Sequence, residues 1–159
     1  MATGAPLSAF QLQYPAVGFH FQVRIAGDDS QAHAAFAEVS GLDVTREVQP
    51  LREGGENRFV HQLPGGLKHE NLVLKRGIVA KSDPLFEWCR GALESDLGVP
   101  LTTRLIEVSL LDAAGSRLIN WQCAAAWPVK WMIGSFDAMK NEVAMETIEF
   151  AYSTLSRTH

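Results

Sequence analysis

Three residues around one glycine-rich stretch could do chemistry. Glu56 and His61 lie within LREGGENRFVHQLPGG, residues 51–66, and His69 follows it. A carboxylate and two imidazoles can bind a divalent metal, or divide general acid and base work, if the fold converges them on one atom. The two glycine pairs raise a second chemistry, because bare backbone amides cradle phosphate where a strand turns into a helix. The spacing supports neither. No two histidines among His20, His33, His61, His69 and His159 have the HExxH spacing of one helical face, and no third ligand can be nominated. Neither glycine pair fits GxxxxGK followed by Ser or Thr, and GxGxxG is absent. Ser40 in VSGLD lacks the GxSxG elbow of a nucleophile, and the scattered acids define no carboxylate pair. The sequence therefore predicts no catalytic residue, no metal and no cofactor.

The elements that carry these residues read as turn and strand. REGGEN has the glycines and asparagine that enter positive φ cheaply, RFVHQL is a returning strand, and PGG is expected to close it. Upstream, FHFQVRI alternates, with Phe19, Phe21, Val23 and Ile25 on one face. A second alternating stretch runs from about Phe36 to Gln49, where Leu42, Val44 and Val48 oppose a polar row of Asp43, Thr45, Glu47 and Gln49. NLVLKRG is a further strand. SDPLFEWCRGALESDLG is a helix, capped by Asp83, with Pro84 at its first position and Gly98 beyond its end. Leu85, Trp88, Cys89, Ala92 and Leu93 form its buried stripe. RLIEVSLLDAAGSRLINWQCAAAW reads as a hairpin, PVKWMI follows, and NEVAMETIEFAYSTL is a long last strand. Simple alternation places Trp121 and Trp127 on one face, in the core or at a subunit interface. Six to eight strands and one helix make a mostly β fold, an antiparallel barrel or sandwich with one packed helix.

Bulk properties narrow the function classes. A chain of 159 residues holds one core, expected over residues 19–159 behind an arm of residues 1–18. Net charge is -4 at pH 7, so no overall basic field draws a nucleic-acid backbone or an anionic bilayer. The first residues lack the basic and apolar regions of a secretory signal, and no apolar run reaches membrane-spanning length. Cytoplasmic synthesis and assembly without stable membrane insertion are expected. Cys89 and Cys123 have no zinc-ligand spacing and are expected as buried thiols.

In this order, YPAVGFHFQVRI, VSGL, EGGEN, LKRG, LFEWC, AWPVKW and NEVAMETIEF resemble a tail tube protein of the contractile-phage family. The likeness is nearest to the versions in phage-tail-like extracellular contractile injection systems and runs from about Tyr14 to Tyr152. It implies a structural subunit that forms hexameric rings, stacked as a hollow tube. The implied partners are further copies of itself, the sheath protein, baseplate and spike-hub proteins and a tube-terminating cap, with cargo protein or DNA in the lumen. It implies that residues 51–66 lie in a long hairpin reaching a neighbouring subunit or ring, with Arg52, Glu53, Gly54, Gly55, Glu56, Asn57 and Arg58 as the inter-subunit loop. On the same model Asp43, Thr45, Glu47 and Gln49 face the lumen. An initiator or adaptor ring on the baseplate spike is the alternative within the family; outside it, a small ligand-binding β-barrel would need a pocket with convergent polar groups.

Overall fold

A computed structural model of the chain describes residues 19–26, 33–52, 54–55, 58–78, 83–135, 139 and 144–158. Ten strands and one helix lie among them: β1 His20–Ile25, β2 His33–Phe36, β3 Glu38–Ser40, β4 Thr45–Leu51, β5 His61–Lys68, β6 Leu72–Gly77, α1 Pro84–Glu94, β7 Arg104–Leu111, β8 Arg117–Ile133, β9 Met145–Ala151 and β10 Thr154–Thr158. The arm expected over residues 1–18 lies outside the described residues.

The helix starts as its sequence dictates. Asp83 is extended, and its carboxylate accepts the Phe86 N–H at 2.7 Å, meeting one of the unpaired donors of the first turn. Leu85, Trp88 and Cys89 are buried; Trp88 stacks on Phe150 with ring centroids 5.5 Å apart, and Phe86 meets Trp131 edge-on at 5.1 Å. Ala92 is half-buried and Leu93 exposed, so the predicted stripe frays toward its end.

Eight strands form one antiparallel sheet in the order β2-β1-β7-β8-β9-β6-β3, with β10 also on β8. Its two terminal strands are consecutive in the chain, separated by Ala37, whose N–H donates to the Lys75 carbonyl at 2.9 Å. The sheet is therefore rolled until its ends meet in one bent segment. Strand β8, 17 residues long, makes the corner. Its first part lies between β7 and β10, and its second part, from Trp127, pairs with β9. Extra residues accommodate the change: Ala124 and Ala125 together oppose Leu105, and Ala125 has φ 52°. A second shift follows between Pro128 and Lys130. The first of these bulges overturns the expected common face of Trp121 and Trp127, because its extra residue lies between them and inverts the alternation. Trp121 packs on the core, whereas Trp127 is 37% exposed.

The interior of the roll is filled by Val23, Leu72, Leu74, Ile106, Val108, Ile148 and Phe150, each 2% exposed or less. Burying side chains of this kind stabilises the fold by roughly 1.5–3 kcal/mol apiece. Cys89 and Cys123 are buried free thiols, as expected, and burial pushes both up to about 12. One ionic cluster shares this interior. Arg76 on β6 donates through Nε to Glu146 on β9 at 2.7 Å and through Nη1 to the cap carboxylate of Asp83. Trp131 Nε1 donates to the other Glu146 oxygen at 2.7 Å, and the Arg76 guanidinium lies 5.2 Å from the centre of the Phe36 ring. Burial alone would lower the Arg76 pKa, but the hydrogen bonds and charges of Asp83 and Glu146 hold it above its ordinary value. The cluster ties the helix cap to three strands.

Candidate assembly surface

Strands β4 and β5 stand apart from the rolled sheet as a two-stranded ribbon. A two-stranded ribbon with no third layer is marginally stable in water. Its pairs run from Thr45 with Lys68 at the base to Leu51 with His61 near the turn. Between the Arg46–Leu67 and Val48–Pro64 pairs the register shifts, so that Gly65 and Gly66 oppose Glu47 alone. The PGG segment thus lies inside β5, not in a closing turn. Pro64 is tolerated because no described strand pairs with the outer side of β5. Gly65 sits at a close approach: a Cβ there would lie 3.0 Å from Glu47 Cβ and 3.1 Å from its carbonyl oxygen, so a side chain would push the strands apart by a few tenths of an ångström.

Paired residues share a face, so the register assigns the ribbon's two sides. Thr45, Glu47 and Gln49 lie together with Lys68 and Leu63, as alternation predicts. Lys68 forms an ion pair with Glu47, which offsets part of that row's negative charge. Asp43 sits at the base, where its carboxylate accepts the Glu70 N–H at 3.3 Å. The opposite side carries Val48, Pro50, Pro64 and Leu67, interrupted by Arg46 and Gln62; Val48 is 59% and Leu67 54% exposed. An apolar side left open on an isolated ribbon is the mark of a covered surface in an assembly.

Near the ribbon's end, Gly54 and Gly55 form a turn, Gly55 with φ +100°, and Arg52 and Arg58 are exposed. Glu53, Glu56 and Asn57 lie outside the described residues. His61 and His69 sit at opposite ends of β5, roughly 25 Å apart at strand rise, so the fold does not bring them together. Among the described residues no group of His, Cys, Asp and Glu could hold a metal ion.

The ribbon's base is the part that sequence patterning leaves unassigned. Gly41 has φ +83°, and a Cβ there would lie 1.9 Å from the Asn71 carbonyl oxygen, so the two legs cross with only hydrogen between them. Tyr152, in the break between β9 and β10, donates its O–H to the Gly41 carbonyl at 2.8 Å, with the Asp43 carbonyl at 3.3 Å. His69 Nδ1 lies 3.2 Å from that Asp43 oxygen, a contact that places the proton on Nδ1. In the sequence Tyr152 only continues the Ile148, Phe150 face of the last predicted strand, and its phenol O–H is the one signal that this position needs a polar partner.

A second open surface lies on β8. Its Trp127–Ile133 portion pairs with β9 on one side, and no described strand pairs with the other. Trp127, Val129, Met132 and Ile133 are exposed along it. Beside α1, a groove of about 210 Å³ is lined by Trp88, Val99 and Leu101 together with Glu87, Thr102 and Arg104. Among the described residues no helix is long and apolar enough to cross a membrane.

Comparison with known proteins agrees with this architecture. The chain is similar to a chain in the cryo-EM structure of the anti-feeding prophage baseplate, 6-fold symmetrised, at 30% identity and TM-score 0.77, covering 91% of this chain and 96% of that one. It is similar at 25% identity and TM-score 0.77 to a chain of the PVC sheath-tube complex, an extracellular contractile injection system in its extended state, covering 98% and 99%. A chain in the anti-feeding prophage tube terminating cap structure matches at 25% identity and TM-score 0.75, covering 92% of each. No curated protein matches the chain. The model of the T4-like virus tail tube protein gp19 family matches residues 17–156, and the chain belongs to that family of structural tube proteins.

Proposed function

We propose that this chain is a subunit of the inner tube of a contractile injection particle or phage tail, associating as stacked sixfold rings around a hollow channel. The observation that carries the reading is the β4–β5 ribbon with its exposed apolar side, together with the unpaired edge of β8, on a chain of the tail tube family. An open strand edge pairs with whatever strand it meets, and ring closure gives each edge a fixed partner. Sheath, baseplate and terminating cap are the other partners, supported by the complexes in which similar chains occur. Arg52, Gly54, Gly55 and Arg58, exposed at the ribbon's end, meet a neighbouring subunit or ring. Asp43, Thr45, Glu47 and Gln49 face the lumen, past which cargo protein or DNA moves. A reconstruction of an Asp43→Lys, Glu47→Lys tube that placed both side chains on the outer wall would eliminate that facing.

Negative-stain electron microscopy of the purified chain, with solution mass across a concentration series, tests the reading. Rings or hollow tubes are the expected result. A monomer that adds to neither itself nor a preformed baseplate would overturn it. Growth that stops at one ring would favour an adaptor at the baseplate end, a second reading supported by the higher identity to the baseplate chain, 30% against 25% for the sheath-tube chain.

A further inference from the structure

We propose that Tyr152 is the positioning residue that sets the direction of the β4–β5 ribbon against the rolled sheet, an inference that rests on reading the ribbon as an arm toward a neighbour. The ribbon leaves the sheet by two legs, residues 41–44 and 69–71, and both converge on this side chain. The first leg presents the Gly41 and Asp43 carbonyls to the Tyr152 O–H, at 2.8 and 3.3 Å. The second leg contributes His69, whose ring centre lies 5.1 Å from the Tyr152 ring at 46° and whose Nδ1 shares the Asp43 carbonyl. Glu70 N–H closes the junction onto the Asp43 carboxylate at 3.3 Å. Beyond the junction, among the described strands, β4 and β5 pair only with each other.

Leverage makes the junction decisive. A ribbon of seven residues is about 23 Å long, so a tilt of about 10° at its base moves its end by about 4 Å, close to the ~4.8 Å spacing between neighbouring strands. An error of that size removes any fixed register with a partner. At the Gly41 crossing the legs approach too closely for any side chain between Gly41 and Asn71. What remains to be fixed is the angle of the crossed pair, and Tyr152 reaches it from a third direction, the corner between β9 and β10. Burial, then the charges of Cys123 and Asp43, push the phenol up to about 12, so it stays a donor at neutral pH.

The test is a pair of spin-label distances by pulsed dipolar EPR in the full chain, at concentrations where it is monomeric. Gln62→Cys reports the ribbon, Arg117→Cys the body, and Arg90→Cys with Arg117→Cys serves as a control within the body; native Cys89 and Cys123, 1% and 0% exposed, stay unlabelled. Tyr152→Phe keeps the ring and removes the O–H. The expected result is at least a twofold broader ribbon–body distance distribution, an unchanged control distribution and at least a tenfold loss of tube yield. His69→Phe, which keeps the ring contact but removes the Nδ1 donor, should broaden the ribbon distance less. An unchanged ribbon distribution in Tyr152→Phe, or equal broadening of the control, overturns the proposal. Absence of tubes from the unsubstituted chain would instead count against the tube reading and leave the distance measurement intact.

Discussion

Replacing Arg76 with Met should destabilise the subunit far more than its single charge suggests. The Arg76 and Glu146 side chains are 6% and 7% exposed, so each is the other's substitute for water. Met fills the volume of the arginine stem but leaves Glu146 buried with the Trp131 Nε1 donor as its remaining partner in this cluster. Removing one member of a buried pair costs about 3–5 kcal/mol, because the remaining charge is neither solvated nor matched. Asp83 adds little to the loss, since it is 24% exposed and retains the Phe86 N–H. At about 2–4 °C per kcal/mol for a domain of this size, the thermal midpoint falls by about 6–20 °C. The double variant Arg76→Met, Glu146→Leu removes both charges and should recover at least half of the loss; the residue is the unpaired Trp131 N–H, about 1–3 kcal/mol. Urea unfolding followed by tryptophan fluorescence reads both variants, with Trp131 bonded directly to Glu146. A single-variant loss under about 1 kcal/mol, or a double variant no better than the single, would refute the account of this cluster.

Three further outcomes follow from the same geometry. Val48→Ser with Leu67→Ser should alter monomer stability by no more than about 0.5 kcal/mol, because both side chains already face solvent, yet lower ring or tube yield at least tenfold in electron micrographs; undiminished tubes would show that this side of the ribbon is not an interface. Gly41→Ala combines a left-handed backbone cost of about 1–2 kcal/mol with the collision against Asn71, so its unfolding free energy should drop by more than about 2 kcal/mol, and a drop under about 0.5 would contradict the crossing of the two legs. Cys89, Cys123 and Tyr152 hold their protons more tightly folded than unfolded, so their contribution is fully present below pH 9.0, the thiols' ordinary value, and is lost as pH rises toward about 12. The unfolding midpoint should therefore fall between pH 8 and pH 11 in a titration series, and a flat profile would sink this assignment.

The helix and the alternating strands were legible because local rules decide them. Asp83, Pro84 and the Leu85, Trp88, Cys89 spacing leave no competing structure for that segment. The buried faces of β6 and β9 also follow period two, and on that parity Arg76 joins Leu72 and Leu74 while Glu146 joins Ile148 and Phe150. A charge of each sign on two apolar faces is a readable signal for the Arg76–Glu146 pair. The PGG segment was misleading because glycine and proline have the same local signature in a turn and in a bulge on an open edge; only the partner strand distinguishes them. The same limit applies to β8, where each extra residue inverts the faces and the need for it arises from the corner between β7 and β9. Tyr152 reads in the sequence only as a continuation of the Ile148, Phe150 face, because its partners Gly41 and Asp43 lie 111 and 109 residues away.

Strand β9 is next to last in the chain but lies between β6 and β8 in the sheet. On the ribosome, β6 therefore emerges with Leu72 and Leu74 long before Ile148 and Phe150 exist to cover them. A chain interrupted before Met145 would keep two raw sheet margins and an unfilled interior, the exposed surfaces that favour aggregation. Long-range pairing of this kind also makes folding slow, because distant segments must meet before any contact rewards the closure. Completion of translation is thus a checkpoint written into the strand order, and only whole chains acquire the surfaces through which subunits meet.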